Sequence, residues 1–277
     1  MLVEWIKYLM RPTAPELRAL GYLSEAIAVE ARWRRCGAAW EPHLAECRAA
    51  VSEAIRRSHR RRTAIVLGSG LTLDLPLDEL AHAFERVLLV DVLHPPAARR
   101  RARGRANVEL VAADVTGAID ALYRLEPAPS VALPAPRRLA LLDDPNLDLV
   151  ISLNLLSQLS VLPVAWLDRR LGVGAANEVA GFAQALVAAH LADLERCQAM
   201  TCLISDVERL AVTADGSVLE RHSTLAEIAE PRAERSWLWR IAPIPEADRR
   251  WSEHLRVIAA FDLAKTRSPR AFASAID

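Results

Sequence analysis

Gly68-Ser69-Gly70, Asp91 and Asp114-Val115 are the residues whose types and order suit them to hold a nucleoside. Glycine lets a backbone turn tightly and approach a ligand that any Cβ would keep away. Asp91 follows 23 residues after Gly68, a spacing at which a carboxylate accepts hydrogen bonds from both hydroxyls of a ribose. Asp114 and Val115 are placed for an adenine ring and its amino group. These signals gain specificity only from their order and from their attachment to successive strands. The dinucleotide fingerprint itself is broken, because Leu73 stands at its third glycine position. His94, just past Asp91, is either a proton acceptor beside a ligand or a loop-exposed or capping histidine. Asp74 suits the N-cap of a helix opened by LPLDEL, and His190 is expected at the surface or partly packed.

The elements that must position these residues are short apolar runs: 63–68, 86–91, 108–112, 147–153 and 200–205. Near-continuous hydrophobicity marks strands buried on both faces of a parallel sheet. Residues 77–84 read as a crossover helix, and a longer helix carries Val179, Phe182, Leu186, Val187, Leu191 and Leu194 on one stripe. Asp215-Gly216 signals a hairpin turn, and 236–241 and 254–261 read as closing antiparallel strands, with Trp237 and Trp239 on one face. Upstream, residues 14–60 read as two helices, the second opened by Pro42 and ended by the basic run Arg56 to Arg62 as its solvated terminus. The Pro-rich stretch 124–138 and the stretch 161–176 are expected as irregular connections. The whole is an α/β chain with a doubly wound, mostly parallel seven-stranded sheet and an antiparallel last strand. Its divisions are a helical extension (1–62), the sheet domain (63–263) and a tail (264–277).

Lys plus Arg equals Asp plus Glu at 35 each, so the overall field gives no reason to expect a nucleic acid partner, although Arg99 to Arg103 is a second local basic run. Four cysteines without C-x-x-C spacing argue against zinc and against a disulfide scaffold, and a cytoplasmic protein with reduced thiols is expected. No apolar stretch of membrane-spanning length appears, and no membrane partner is expected.

Together, VLGSG, LLVD, AADV and LDLVISLNLLSQL resemble the glycine loop, ribose-binding strand end, adenine-side motif and fourth strand of class I S-adenosylmethionine-dependent methyltransferases, over roughly residues 63–263. The closing antiparallel pair fits that family rather than a dehydrogenase. The resemblance implies S-adenosylmethionine as cofactor, bound by Gly68, Ser69, Gly70, Asp91, Asp114, Val115 and Asn154, with Ser157 and Gln158 facing the substrate. Two positions depart from the family's loop: Val66 replaces its usual acid, and Thr72 its third glycine. Both departures fall at the methionine end of the pocket, where the family's acid and glycine help to receive the ammonium, and Asp74 either substitutes for that acid electrostatically or serves as the N-cap of the following helix. The chain lacks the Asn-Pro-Pro-Tyr motif of enzymes that methylate nucleobase and glutamine amino groups, and no catalytic base declares itself. In-line positioning alone supports methyl transfer.

The expected function is methyl transfer to a small molecule, with Trp5, Tyr8, Trp33 and Trp40 either lining an aromatic lid or packing as core. The alternatives are a methyltransferase-like protein without catalysis, a nucleotide-dependent oxidoreductase, and an RNA methyltransferase using the arginine runs.

Overall fold

The computed structural model describes residues 12–126 and 132–264. Its centre is an eight-stranded sheet in the order β3-β2-β1-β4-β5-β8-β7, with β6 paired to β5 off that path. The strands are β1 (Thr63–Leu67), β2 (Arg86–Asp91), β3 (Val108–Ala112), β4 (Leu147–Leu153), β5 (Met200–Thr213), β6 (Val218–Ser223), β7 (Arg235–Ala242) and β8 (Trp251–Phe261). Neighbours from β3 through β5 are parallel, and β8 runs antiparallel to both β5 and β7. The eighth strand, one more than expected, arises because β5 runs on to Thr213. Its extension pairs with β6 across the Asp215-Gly216 turn.

Trp237 lies opposite Val257 and Trp239 opposite Leu255, so the expected closing pair and the shared face of the two tryptophans are present. The winding reverses at β1, which has β2 on one side and β4 on the other. Loops at the carboxyl ends of these strands therefore open onto the crevice where α/β sheets bind ligands.

One face of the sheet is covered by α1 (Pro15–Ala19), α5 (Ile119–Tyr123), α6 (Val161–Leu171) and α7 (Ala176–Arg196), around Ile65, Leu67, Leu88, Val150 and Leu203. The other packs beneath α2 (Tyr22–Arg57) and α3 (Leu77–Ala83), around Ala64, Val66, Leu149, Ile151 and Ile204. The short helix α4 (Pro96–Ala102) joins β2 to β3.

Two segments differ from expectation, and each contains a proline. Instead of two helices, α2 is one unbroken helix of 36 residues with Pro42 in its interior. An internal proline costs about 3 kcal/mol. Burial of Trp40, Leu44, Val51 and Ile55 on the same helix offsets it, each at about 1.5–3 kcal/mol. Residues 161–171 form α6 rather than an irregular loop, because Pro163 sits in the first turn, where its missing N–H has no intrahelical partner to lose. A single 3₁₀ turn, Val173–Ala175, then leads into α7.

The Arg56–Arg62 run does end α2, but it is not simply solvated. Arg57 donates to Glu53 and to both oxygens of Glu234, and Arg62 to both oxygens of Asp148. Trp33 and Trp40 pack beside Trp239 as core, whereas Trp5, Tyr8 and the tail 265–277 lie outside the described residues.

Candidate functional site

The Gly68 turn closes β1 against β2: the Gly68 and Ser69 N–H groups both donate to the Val90 carbonyl, at 2.9 and 3.2 Å. Gly68 has φ +80°, and a Cβ there would stand 2.8 Å from the Leu153 carbonyl and 2.9 Å from Leu155 Cβ. The turn is thus wedged against the exit of β4. Gly70 has φ +45°, and among the described residues its missing Cβ faces only the Gly68 carbonyl, at 3.9 Å. Thr72, at the third glycine's position, keeps a left-handed backbone (φ +60°) and is fully buried.

Asp91 joins this turn directly. Its Oδ2 accepts from the Gly70 N–H at 2.8 Å and its Oδ1 from the Leu93 N–H at 3.4 Å, while burial raises its pKa. Asp114 turns inward on its own loop. Oδ1 accepts from the Thr116 N–H (2.8 Å) and hydroxyl (2.6 Å), and Oδ2 from the Ile119 N–H (2.8 Å), steadying the start of α5. Val115 packs against the core on the α5 face. Burial, with the nearby charges of Asp114 and Asp91, raises the pKa of Tyr22 in the first turn of α2.

Asn154 follows β4 with φ +48°. Its Nδ2 donates to Asp74 Oδ2 at 2.9 Å and lies 3.4 Å from His43 Nε2 and 3.8 Å from Cys47 Sγ. Asp74 is therefore part of this cluster rather than the expected N-cap of α3, where Pro76 stands with no side-chain cap. His43 stacks on Trp239 at 3.9 Å, and its Nδ1 accepts from Trp237 Nε1–H at 3.1 Å.

His43, Cys47 and Asp74 converge closely enough to suggest a metal centre, but the tautomer opposes it. With Nδ1 accepting from Trp237, the proton of the neutral ring sits on Nε2, the nitrogen that faces Cys47 at 3.5 Å. Burial holds the His43 pKa at about 3, so the ring is neutral, and it raises the Cys47 thiol well above its ordinary value. The set is a hydrogen-bonded knot.

On the β5 side, Ser157 donates to Asp206 Oδ1 at 2.6 Å, and Gln158 Nε2 donates to Ser157 Oγ at 3.3 Å. Asp206 is buried, with a pKa raised by that burial.

Both histidine expectations need correction. His94 is neither exposed nor capping: it is 8% exposed, and among the described residues its ring nitrogens meet no side-chain partner, with the Val111 backbone close by. His190 is buried and lies 2.8 Å from the Ser152 hydroxyl. Its pKa falls to about 4, chiefly by desolvation. Below the free imidazole value of about 6.5 the unfolded chain takes up this proton and the folded chain does not. His190 therefore contributes stability that is fully present above that value and lost as pH falls towards 4. Urea melts of wild-type and His190→Gln protein at neutral pH and at about pH 4.5 should show wild type losing ground to the variant in acid. A pH-independent difference between them would refute the assignment.

Tyr22, His43, Cys47 and Asp206 were not singled out from sequence. The i,i+4 spacing of His43 and Cys47 on an apolar helix face was the one available signal, and it does not reveal partners on other elements.

No family model and no curated protein matches the chain. Among solved structures, "DhpI-SAM-HEP complex" is 14% identical, with 88% of this chain and 99% of that one covered and a TM-score of 0.36. The N-methyltransferase NodS from Bradyrhizobium japonicum WM9 is 10% identical, with 77% and 93% covered and a TM-score of 0.35. A Burkholderia thailandensis 1,6-didemethyltoxoflavin-N1-methyltransferase, with bound 1,6-didemethyltoxoflavin and S-adenosylhomocysteine, is 17% identical, with 90% and 92% covered and a TM-score of 0.31. These similarities are remote, and none of them assigns a role to a residue here.

Proposed function

We propose that this chain binds S-adenosylmethionine at the carboxyl edge of the sheet and transfers its methyl group to a small-molecule acceptor. The observation that carries this reading is the Gly70 N–H to Asp91 bond at the winding reversal. It places an open glycine turn and a carboxylate side by side on adjacent strands. Orphaned polar atoms lie in and beside that turn and suit a polar ligand: among the described residues Ser69 Oγ and Asn154 Oδ1 are buried without partners.

In this reading Gly68, Ser69 and Gly70 approach the cofactor with their backbone, and Asp91 accepts from the ribose hydroxyls. Tyr22 and Val115 close over the nucleoside beside Asp114, and Asn154 faces the amino-acid end. When bound, the cofactor supplies an electrophilic methyl carbon on a sulfonium centre. The chain's contribution is to exclude water and hold the acceptor in line, with Ser157 and Gln158 on the acceptor side and Asp206 behind Ser157.

The equal numbers of basic and acidic residues and the pairing of Arg56, Arg57 and Arg62 with carboxylates favour a small acceptor over RNA, and an RNA reading would have to rest on the exposed Arg99 to Arg103 run. No helix among the described residues is long and apolar enough to cross a membrane. The antiparallel β8 argues against a dinucleotide-dependent oxidoreductase.

Calorimetric titration with S-adenosylmethionine, S-adenosylhomocysteine and NAD decides between the readings. The proposal expects binding of the first two and none of the third. Binding of NAD alone would replace it with the oxidoreductase, and binding of none with a non-catalytic scaffold.

A further inference from the structure

Asp74 is a carboxylate in need of a cation. It is half-buried in the segment that leads from the Gly68 turn to α3, and its one side-chain hydrogen bond comes from Asn154 Nδ2 at 2.9 Å. Among the described residues no arginine, lysine or histidine nitrogen lies within 4.0 Å of it. Arg48, on the nearby face of α2, is turned elsewhere, donating to the Leu73 carbonyl at 2.9 Å and to Glu41.

The other groups around Asp74 are neutral: the His43 imidazole, the Cys47 thiol and the Asn154 amide. Desolvation without a compensating cation raises its pKa to about 6, with only weak charge support from Arg48 and Arg101. The other two carboxylates at this edge are differently engaged: Asp91 takes the Gly70 N–H, and Asp114 is bonded through both oxygens within its own loop.

Asn154 holds φ +48°, a left-handed conformation that asparagine tolerates, and among the described residues its Oδ1 is buried without a partner. A carboxylate without a cation and, among the described residues, an amide oxygen without a donor stand where β4 leaves the sheet against the Gly68 turn. This pairing suits a group with several N–H donors and a positive charge, which is an ammonium.

We infer that Asp74, held in place by Asn154, receives the α-ammonium group at the amino-acid end of the bound cofactor. The inference rests on the reading that the chain binds S-adenosylmethionine. It adds that recognition of the amino-acid end comes from the β1–α3 segment and not from β1 itself. There Val66 is fully buried in the apolar core beneath α2 and has no access to a ligand.

The test uses three probes on the full chain: S-adenosylhomocysteine, its des-amino analogue, which keeps the carboxylate, and methylthioadenosine, which lacks the whole amino-acid end. Asp74→Asn is nearly isosteric and removes a half-buried charge, so it should fold, and Asp74→Ser provides a second variant. In wild type, S-adenosylhomocysteine should bind about 10–100-fold more tightly than the des-amino analogue, the scale of a charge-assisted hydrogen bond. In both variants that preference should collapse to within a few-fold, while methylthioadenosine affinity stays at its wild-type value.

Retention of the preference by folded variants overturns the inference and leaves the cofactor reading standing. Equal loss of all three ligands also overturns it, since Asp74 would then be supporting the nucleoside site. Failure of wild type to bind any of the three overturns the cofactor reading, and the inference falls with it.

Discussion

Replacing Asp91 with Ala should weaken S-adenosylhomocysteine binding by about 10–100-fold, because two charge-assisted bonds to ribose hydroxyls are lost at once. The geometry adds a second effect. Asp91 Oδ2 also holds the Gly70 N–H at 2.8 Å, so alanine strips the turn of an acceptor as well as the ligand. An exposed N–H finds water, but a covered one costs about 1–3 kcal/mol.

Asp91→Asn separates the two effects. Its amide oxygen still accepts from Gly70 while the charge is gone, so the turn should survive and affinity should fall by about tenfold, less than for alanine. Titrations of wild type and both variants, each checked for an unchanged melting curve, read this directly. If both variants bind S-adenosylhomocysteine like wild type, Asp91 is a structural brace for the turn and the ribose lies elsewhere.

Gly68→Ala should be among the most destabilising single-methyl additions available in the chain. At φ +80° a Cβ costs about 1–2 kcal/mol in backbone strain alone. The new methyl would also stand 2.8 Å from the Leu153 carbonyl and 2.9 Å from Leu155 Cβ, and relief of that overlap costs about another 1–3 kcal/mol. The sum, about 3 kcal/mol, corresponds to a melting temperature lowered by roughly 6–12 °C for a domain of this size.

Gly104→Ala is the control. It carries a similar φ of +86° but has nothing within 4 Å of its missing Cβ, so it should show the strain alone, about 1–2 kcal/mol. Equal losses in the two variants would mean that the approach of β4 to the turn is unimportant. A loss confined to Gly68 would assign it to that contact.

The strand ends were legible because burial on both faces makes β1, β2 and β4 read as unbroken apolar runs. Whatever follows such a run must sit at the sheet's edge, and Gly68, Asp91 and Asn154 do. Asp91 and Gly70 were expected as neighbours because their strands are neighbours, and a hydrogen bond joins them. Their role toward a cofactor is the proposal that the titrations test.

The continuity of α2 was hidden. Local rules rank Pro42 as a helix opener, while the burial that overrides them depends on β7, some two hundred residues away in the chain. Asp74 was left between a cap and a pocket residue for a related reason. An aspartate shortly before a helix reads as a cap, and only the approach of Asn154 from β4 shows where its carboxylate points. The burial of His190 was equally out of reach, since it depends on which face of α7 meets the sheet, and that of His94 depends on what packs over the connection between β2 and α4.

The unbroken helix α2 has a mechanical consequence. Buried side chains run along its whole length, from Leu23 and Ile27 to Val51 and Ile55, and Arg57 ties its last turn to Glu234. The helix therefore shifts as one rigid body or not at all, and a displacement felt at Tyr22 is felt at Cys47 without any contact between the two.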